Sequence, residues 1–153
     1  MNISLILVNI RSVYNVGSIF RTADSAGVDH IYLVGYTPTP LDRFKRPRKD
    51  FAKSALGAEK TVSWSHYEDV ESLMEELQSK GVSCVAVEQD PRSCYYKKFK
   101  VKKTTAFIFG NEIEGLPQDI RDKADAIIEI PQRGEKESLN VSVAVGVVAY
   151  HFL

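Results

Sequence analysis

Cysteine is scarce in this chain of 153 residues, which holds only Cys84 and Cys94. Their spacing matches neither a zinc-ligand pair nor a C-x-x-C redox motif, and two cysteines build no disulfide framework. Reduced thiols and a cytoplasmic location are the expectation. Histidine is as sparse, with three residues, none in a motif. With no His/Cys constellation, no metal site is expected. No apolar run reaches the roughly 18 residues that cross a membrane, so no membrane partner is expected. Residues 1–10 lack a basic start and a small-residue cleavage site, so no signal peptide is expected. Nor is there an excess of one charge: 20 Lys+Arg stand against 20 Asp+Glu. That excludes a globally basic nucleic-acid binder, and any RNA contact must come from local patches. Repeats, low-complexity tracts and linkers are also missing. With 44% hydrophobic residues, the chain has the material for one core, and residues 1–153 are expected to form one domain.

What is present alternates between short apolar runs and helical patterns. Ser4 to Val8 reads as a buried strand, followed by a polar, turn-rich loop from Asn9 to Gly17. Asn15 to Ala26 then reads as a helix with Ile19, Ala23 and Ala26 on one face and Gly27 at C′. His30 to Val34 is a second strand. Such strand, loop, helix, strand units build parallel sheets. The Asn15-Val16-Gly17 turn lacks the spacing of a G-x-G-x-x-G or Walker loop. Ser65 to Lys80 reads as a helix, with Ser65 and Glu68 as a capping box and Gly81 as its stop. Its stripe is Tyr67, Val70, Leu73, Met74 and Leu77, and its acidic opposite face is unsuited to phosphate. Val82 to Val87, Thr104 to Phe109 and Ala126 to Ile130 are further strands. The fold class is therefore α/β, a mostly parallel sheet flanked by helices.

Two tracts are locally basic. Between residues 42 and 53, Arg43, Lys45, Arg46, Arg48, Lys49 and Lys53 outnumber Asp42 and Asp50, and Phe44 and Phe51 interleave with them. Cations mixed with aromatics suit phosphates and stacked bases. Arg11, Arg43, Arg46, Lys49 and Lys53 are the RNA-binding candidates. From Arg92 to Lys103 there is no acid, which fits a phosphate-tracking patch and a solvated loop equally well.

The stretch Ile130 to Ala144 organises the rest. Pro131 stops a strand, Gly134 permits a tight turn and Ser138 is a good N-cap, which gives strand, loop, helix. Leu139, Val141, Val143, Val145 and Val147 nevertheless alternate with smaller residues, and period alone reads them as a strand. If helical, Val141 to Leu153 is too apolar all round for one face in water, which fits either a central core helix or a subunit interface.

Three motifs carry a resemblance. Ile130-Pro131, Gly134 and Ser138-Leu139-Asn140-Val141-Ser142-Val143-Ala144 resemble the third motif of the SpoU (TrmH-type) branch of the SPOUT RNA methyltransferases. Asn15-(x)-Gly17-(x)3-Arg21-(x)-Ala23 is similar to the first motif. Phe109-Gly110-(x)-Glu112-(x)2-Gly115-Leu116 is similar to the second. Lys53 to Glu59 also resembles the segment after that family's second strand.

The resemblance implies a C-terminal trefoil knot, S-adenosylmethionine as methyl donor, methylation of a ribose 2′-hydroxyl in RNA, and a homodimer whose sites are completed across the interface. It assigns Arg21 as the key catalytic residue, although residue type alone reads it as a solvated arginine. Because a free guanidinium is a poor base, stabilising the developing alkoxide is its easier role. Asn15, Glu112, Ser138 and Asn140 match the other polar catalytic positions, and would hold Arg21 and the loops. Val87, Gly110, Ile130 and Leu139 match cofactor positions, mostly through backbone atoms. Gln132 departs from the methionine common after the motif-three proline, which bears on the adenine pocket. The chain leaves no room for the extra RNA-binding domain many relatives carry, which favours tRNA over rRNA as substrate. A non-catalytic RNA-binding module is the rival class, and Arg21, Asn15 and Asn140 argue against it.

Overall fold

Strands that are apolar at most positions need cover on both faces, and β1 (Asn2–Val8) shows how this chain supplies it. In the computed structural model, which describes residues 1–153, Leu5 and Leu7 face one core while Ile6 and Val8 face another. Around β1 lie β2 (His30–Val34), β3 (Trp64–Tyr67), β4 (Ser83–Val87), β5 (Cys94–Tyr95), β6 (Thr104–Phe109) and β7 (Ala126–Glu129). Their spatial order is β3-β2-β1-β6-β4-β7-β5, and every pairing is parallel. The first core joins Leu5, Leu7, Leu33 and Phe107 to α1 (Val13–Ala26), α2 (Lys49–Ala55) and α6 (Val141–Phe152) through Ile19, Phe20, Phe51, Val145 and Val148. The second joins Ile6, Val34, Ala86 and Ile108 to α4 (Val70–Ser79) and α5 (Gln118–Lys123) through Leu73, Met74, Leu77 and Ile120. Full burial of each such aliphatic side chain contributes about 1.5–3 kcal/mol, so the sheet is a rigid base for its loops.

Several boundaries differ from the sequence reading. The expected helix over 65–80 divides: Trp64–Tyr67 pairs in parallel with Ile31–Val34 as β3 and packs Tyr67 on Tyr32. Only then does α4 begin, with Asp69 rather than Ser65 as its cap, accepting from the Ser72 N–H at 2.9 Å. Strand pairing and aromatic packing override the capping pattern there. The last helix forms, and the strand alternative fails, because 141–152 packs along α1 rather than on a sheet edge. Its cap is Asn140, not Ser138: Asn140 Oδ1 accepts from the Ser142 N–H at 2.8 Å. Gly134 lies in a bend without a left-handed backbone. α1 starts earlier than expected, capped by Ser12, which places Asn15 inside the helix and buried. α2, the short α3 (Ala58–Thr61) and the edge strand β5 lie in stretches to which the sequence reading assigns no element.

Because all strands run the same way, their carboxyl ends share one end of the sheet, as do the loops that follow β1, β2, β4, β6 and β7. Thr37, 3% exposed, ties two of those loops together. Its hydroxyl donates toward Val34 O (2.7 Å) and Leu7 O (3.0 Å) and accepts from the Ile10 N–H (3.1 Å).

Candidate active site

At that end a cavity of about 360 Å³ opens between the loops. β4 contributes Val87 and the following Glu88 and Gln89, β6 delivers Phe109 and the 110–115 loop, and the segment after β7 closes the far wall. All four residues assigned to the cofactor, Val87, Gly110, Ile130 and Leu139, line it, as do Glu112 and Ser138. The 110–116 loop doubles back tightly. A Cβ on Gly110 would stand 2.5 Å from the Gly115 carbonyl carbon and the Leu116 nitrogen, and Gly115 itself has φ +68. Both positions therefore require glycine.

Three of the assigned polar residues form one chain of hydrogen bonds that fastens the loops together. Glu112 Oε2 accepts from the Arg11 N–H and Oε1 from the Ser12 N–H, both at 3.1 Å, while Asn15 Nδ2 donates to Oε1 at 3.5 Å. Asn140 Nδ2 in turn donates to Asn15 Oδ1 at 3.2 Å. Partial burial alone would raise the Glu112 pKa. The backbone N–H donors and the Asn15 amide outweigh it, so the net shift is downward and the carboxylate stays charged. Motif one, motif two and motif three thus meet through side chains about a hundred residues apart in sequence.

The expectation that this group also holds Arg21 is not met. Arg21 lies six residues beyond Asn15, about 9 Å along α1 and on another face. It is exposed and outside the cavity lining. Ser138 is exposed at the cavity rim.

The RNA-binding candidates lie in the loop after β1 and in the segment from the loop after β2 into α2. Arg43 and Arg46 both stack on Phe44, their guanidinium carbons 4.8 and 4.9 Å from its centroid, and Phe44 is 62% exposed. Arg46 also pairs with Asp42 at 3.0 Å, and Arg48 with Asp50 at 2.8 Å, so part of the local charge is neutralised. Lys49 and Lys53 are exposed on α2, and Arg11 sits exposed beside the Glu112 carboxylate. In the second basic tract Arg92 is committed elsewhere: it pairs with Asp90 (3.0 Å) and Asp122 (2.6 Å), acids just outside the tract. Asp90, hydrogen-bonded to Arg92 and facing Arg121, is held down at about 2. That clamp fixes the turn after Glu88 and Gln89.

Glu88, Gln89, Asn111 and Glu137 were not foreseen as cavity residues. Glu88 Oε2 accepts from the Leu116 N–H at 3.0 Å, and Gln89 Nε2 donates to Glu137 O at 2.6 Å, bridging the walls. The signal available for Glu88 and Gln89 was their place directly after a buried strand, where α/β sheets bind ligands.

The SpoU rRNA methylase family model matches residues 2–150. A 23S rRNA (guanosine-2′-O-)-methyltransferase, RlmB, of Ralstonia nicotianae is 32% identical over 95% of this chain and 56% of its own length. The AdoMet-bound rRNA methyltransferase of Sinorhizobium meliloti superposes with a TM-score of 0.86 at 29% identity, over 98% of this chain and 55% of that one. The A. aeolicus TrmH/SpoU tRNA modifying enzyme gives 0.84 at 26% identity, over 98% of this chain and 73% of that one. The chain thus spans little more than half the length of the curated relatives it matches. With its motifs joined around one cavity and a family match along nearly all its residues, the chain belongs to the SpoU rRNA methylase family.

Proposed function

We propose that residues 1–153 form one SPOUT-type domain that transfers a methyl group from S-adenosylmethionine to a ribose 2′-hydroxyl of RNA, in the cytoplasm and as a homodimer. The observation that carries this reading is convergence: every residue assigned to the cofactor lines one cavity, and Asn15, Glu112 and Asn140 bind one another beside it. The cavity fits the cofactor chemically. Val87, Phe109, Leu139, Val141 and Ala144 offer apolar surface for an adenine. Gln89, Gln132 and Glu137 offer partners for hydroxyls and an ammonium, and its volume lies within the roughly 300–1,000 Å³ of small-ligand sites. Gln132 Nε2 donates to its neighbour Ile130 O at 3.0 Å, so the departure from methionine leaves a polar rather than a thioether wall.

When bound, S-adenosylmethionine supplies a methyl group on a sulfonium, already activated for displacement. The protein's part is to align the acceptor and stabilise the charge that develops on its oxygen. Arg21 takes the second role, as a planar cation with a fork of donors. Asn140, through Asn15, holds the third-motif loop against Glu112, and Ser138 stands at the rim facing the cavity mouth. Since Arg21 lies outside the cavity lining, the dimer brings it to the acceptor. Uncovered apolar side chains support such an interface: Tyr14 is 71% exposed, Val143 50%, Tyr150 61% and Leu153 45%. Leu139, 40% exposed at the cavity edge, joins that face to the site.

We assign the trefoil knot to the 110–117 and 130–140 segments. The return of the chain from β7, past Gln89, to α6 against α1 supports it.

The test has two arms. Titration calorimetry measures binding of S-adenosylmethionine, with NAD and ATP as controls. Nucleoside mass spectrometry then compares tRNA and rRNA from cells with and without the protein for a missing 2′-O-methyl nucleoside. Binding of ATP in place of S-adenosylmethionine, or unchanged nucleosides in both RNAs, overturns the reading.

A further inference from the structure

A second depression adjoins the cavity at the same end of the sheet. Its walls are Arg11, Tyr36, Asn111, Ile113 and Glu114, and it shares Asn111, Ile113 and Glu114 with the first cavity. Its volume, about 390 Å³, is again within the small-ligand range of roughly 300–1,000 Å³. Two of its walls are apolar surfaces turned to solvent: Ile113 is 83% exposed and the Tyr36 ring 58% exposed. The ring is nonetheless held in place. Asn111, 9% exposed, donates to the Tyr36 hydroxyl at 3.0 Å and to Asn9 O at 2.9 Å, and its Oδ1 accepts from the N–H groups of Ile113 (2.9 Å) and Glu114 (3.0 Å). Asn9 Oδ1 accepts the Tyr36 N–H at 3.2 Å, from a left-handed backbone at φ +53. One buried amide thus fixes both faces of the depression.

We infer that this depression receives the base of the nucleotide to be methylated, with Tyr36 as its stacking platform and Ile113 as the opposing wall. The inference rests on the methyltransferase reading above and names the substrate pocket of that same site. Sequence-specific recognition of RNA targets unstacked bases in loops and bulges, and such a base is held by aromatic and aliphatic faces. A base seated here leaves its ribose beside the shared 111–114 wall, at the mouth of the cofactor cavity. The Arg11 guanidinium is placed for the adjoining phosphate, and the Glu114 carboxylate accepts from N–H donors on the base edge. The Tyr36 hydroxyl is a tether to Asn111, so the ring and not the hydroxyl carries recognition.

The test uses the acceptor-bearing RNA and the same RNA with an abasic ribose at the acceptor position, read as kcat/KM for methyl transfer. Stacking of one base on an aromatic ring corresponds to about 5- to 150-fold. Tyr36→Ala should therefore lower kcat/KM for the normal RNA about 5- to 150-fold, while the cofactor Kd stays unchanged. Tyr36→Phe keeps the ring but loses its tether to Asn111, so its loss should be smaller than that of Tyr36→Ala. On the abasic RNA, wild type should fall by a similar factor, and Tyr36→Ala should cost nothing further. If the two losses multiply, or if Ile113→Ala and Tyr36→Ala both leave kcat/KM intact, the base sits elsewhere and the inference is overturned. Absence of methyl transfer by wild type on the normal RNA would instead overturn the methyltransferase reading beneath it.

Discussion

Glu112→Gln is the most informative single change, because the Glu112 carboxylate is the point at which the first two motifs meet. The substitution keeps the shape and one acceptor oxygen, but puts an amide NH₂ where an oxygen now accepts a backbone N–H. Either the Arg11 or the Ser12 N–H, each now at 3.1 Å, loses its partner. Hydrogen bonds to charged groups contribute about 1.5–3 kcal/mol. Glu112 is only partly buried, so we take the lower part of that range after solvent screening, roughly 1–2 kcal/mol. For a chain of this size each kcal/mol moves Tm by about 2–4 °C, so Glu112→Gln should lower Tm by about 2–8 °C at pH 7. The effect depends on pH in a definite sense. The folded-state pKa of Glu112 lies below its ordinary value, so in acid the unfolded chain takes up the proton first. The carboxylate's contribution is therefore complete above about pH 5 and is lost as pH falls through the folded-state value. Paired thermal melts of wild type and Glu112→Gln by circular dichroism, from pH 7 to pH 3, should converge at the acid end. A gap that persists undiminished at pH 3, or no gap at pH 7, refutes the assignment of Glu112 as the charged fastening of the 9–12 loop.

The sheet and its helices were legible wherever burial made a pattern local. Ser4–Val8 and Thr104–Phe109 are apolar at nearly every position because both their faces are covered, and such runs need no tertiary knowledge to find. The edge of the sheet was not legible. Trp64–Tyr67 is short and half polar, and its strand identity comes from pairing with β2, so a local capping pattern misled. The same blindness applies to charge. The tract from Arg92 onward looked free of acids, but Asp90 and Asp122 stand beside it in space. For the site, the family motifs named Gly110 and Leu139, yet the meeting of Asn15 with Glu112 and Asn140 is a property of the fold. Resemblance to a family supplied that grouping, and it also grouped Arg21 with residues from which α1 keeps it apart. The walls of the second depression match no specified motif position: Ile113 fills a variable place inside the second motif, and Tyr36, on a separate loop, is joined to it through Asn111.

Three further outcomes are expected. Lys49→Glu combined with Lys53→Glu should weaken RNA binding and reduce the slope of log K against log salt by about one per cation removed, as measured by fluorescence anisotropy over a salt series. An unchanged slope would place the RNA on another face. Gly110→Ala forces a methyl group against backbone at Gly115 and Leu116, so cofactor binding by calorimetry should be lost or severely weakened, and full affinity would contradict the tight 110–116 return. Finally, Arg21→Ala should separate binding from chemistry. Arg21 is exposed and does not line the cavity, so cofactor affinity and Tm should be unaffected. Losing one preorganised charge at a developing alkoxide typically costs about 100- to 1,000-fold in rate. Single-turnover methyl transfer should therefore collapse by that factor, and Arg21→Lys should restore little of it, because a compact ammonium lacks the planar fork of donors. The proposed homodimer allows a stricter check. If each Arg21 serves the site of the other subunit, mixing Arg21→Ala with a Gly110→Ala chain that no longer binds cofactor should recover activity in the heterodimers, whose one intact cavity faces a wild-type Arg21. No recovery, from mixtures shown to exchange subunits, would place Arg21 in the site of its own chain.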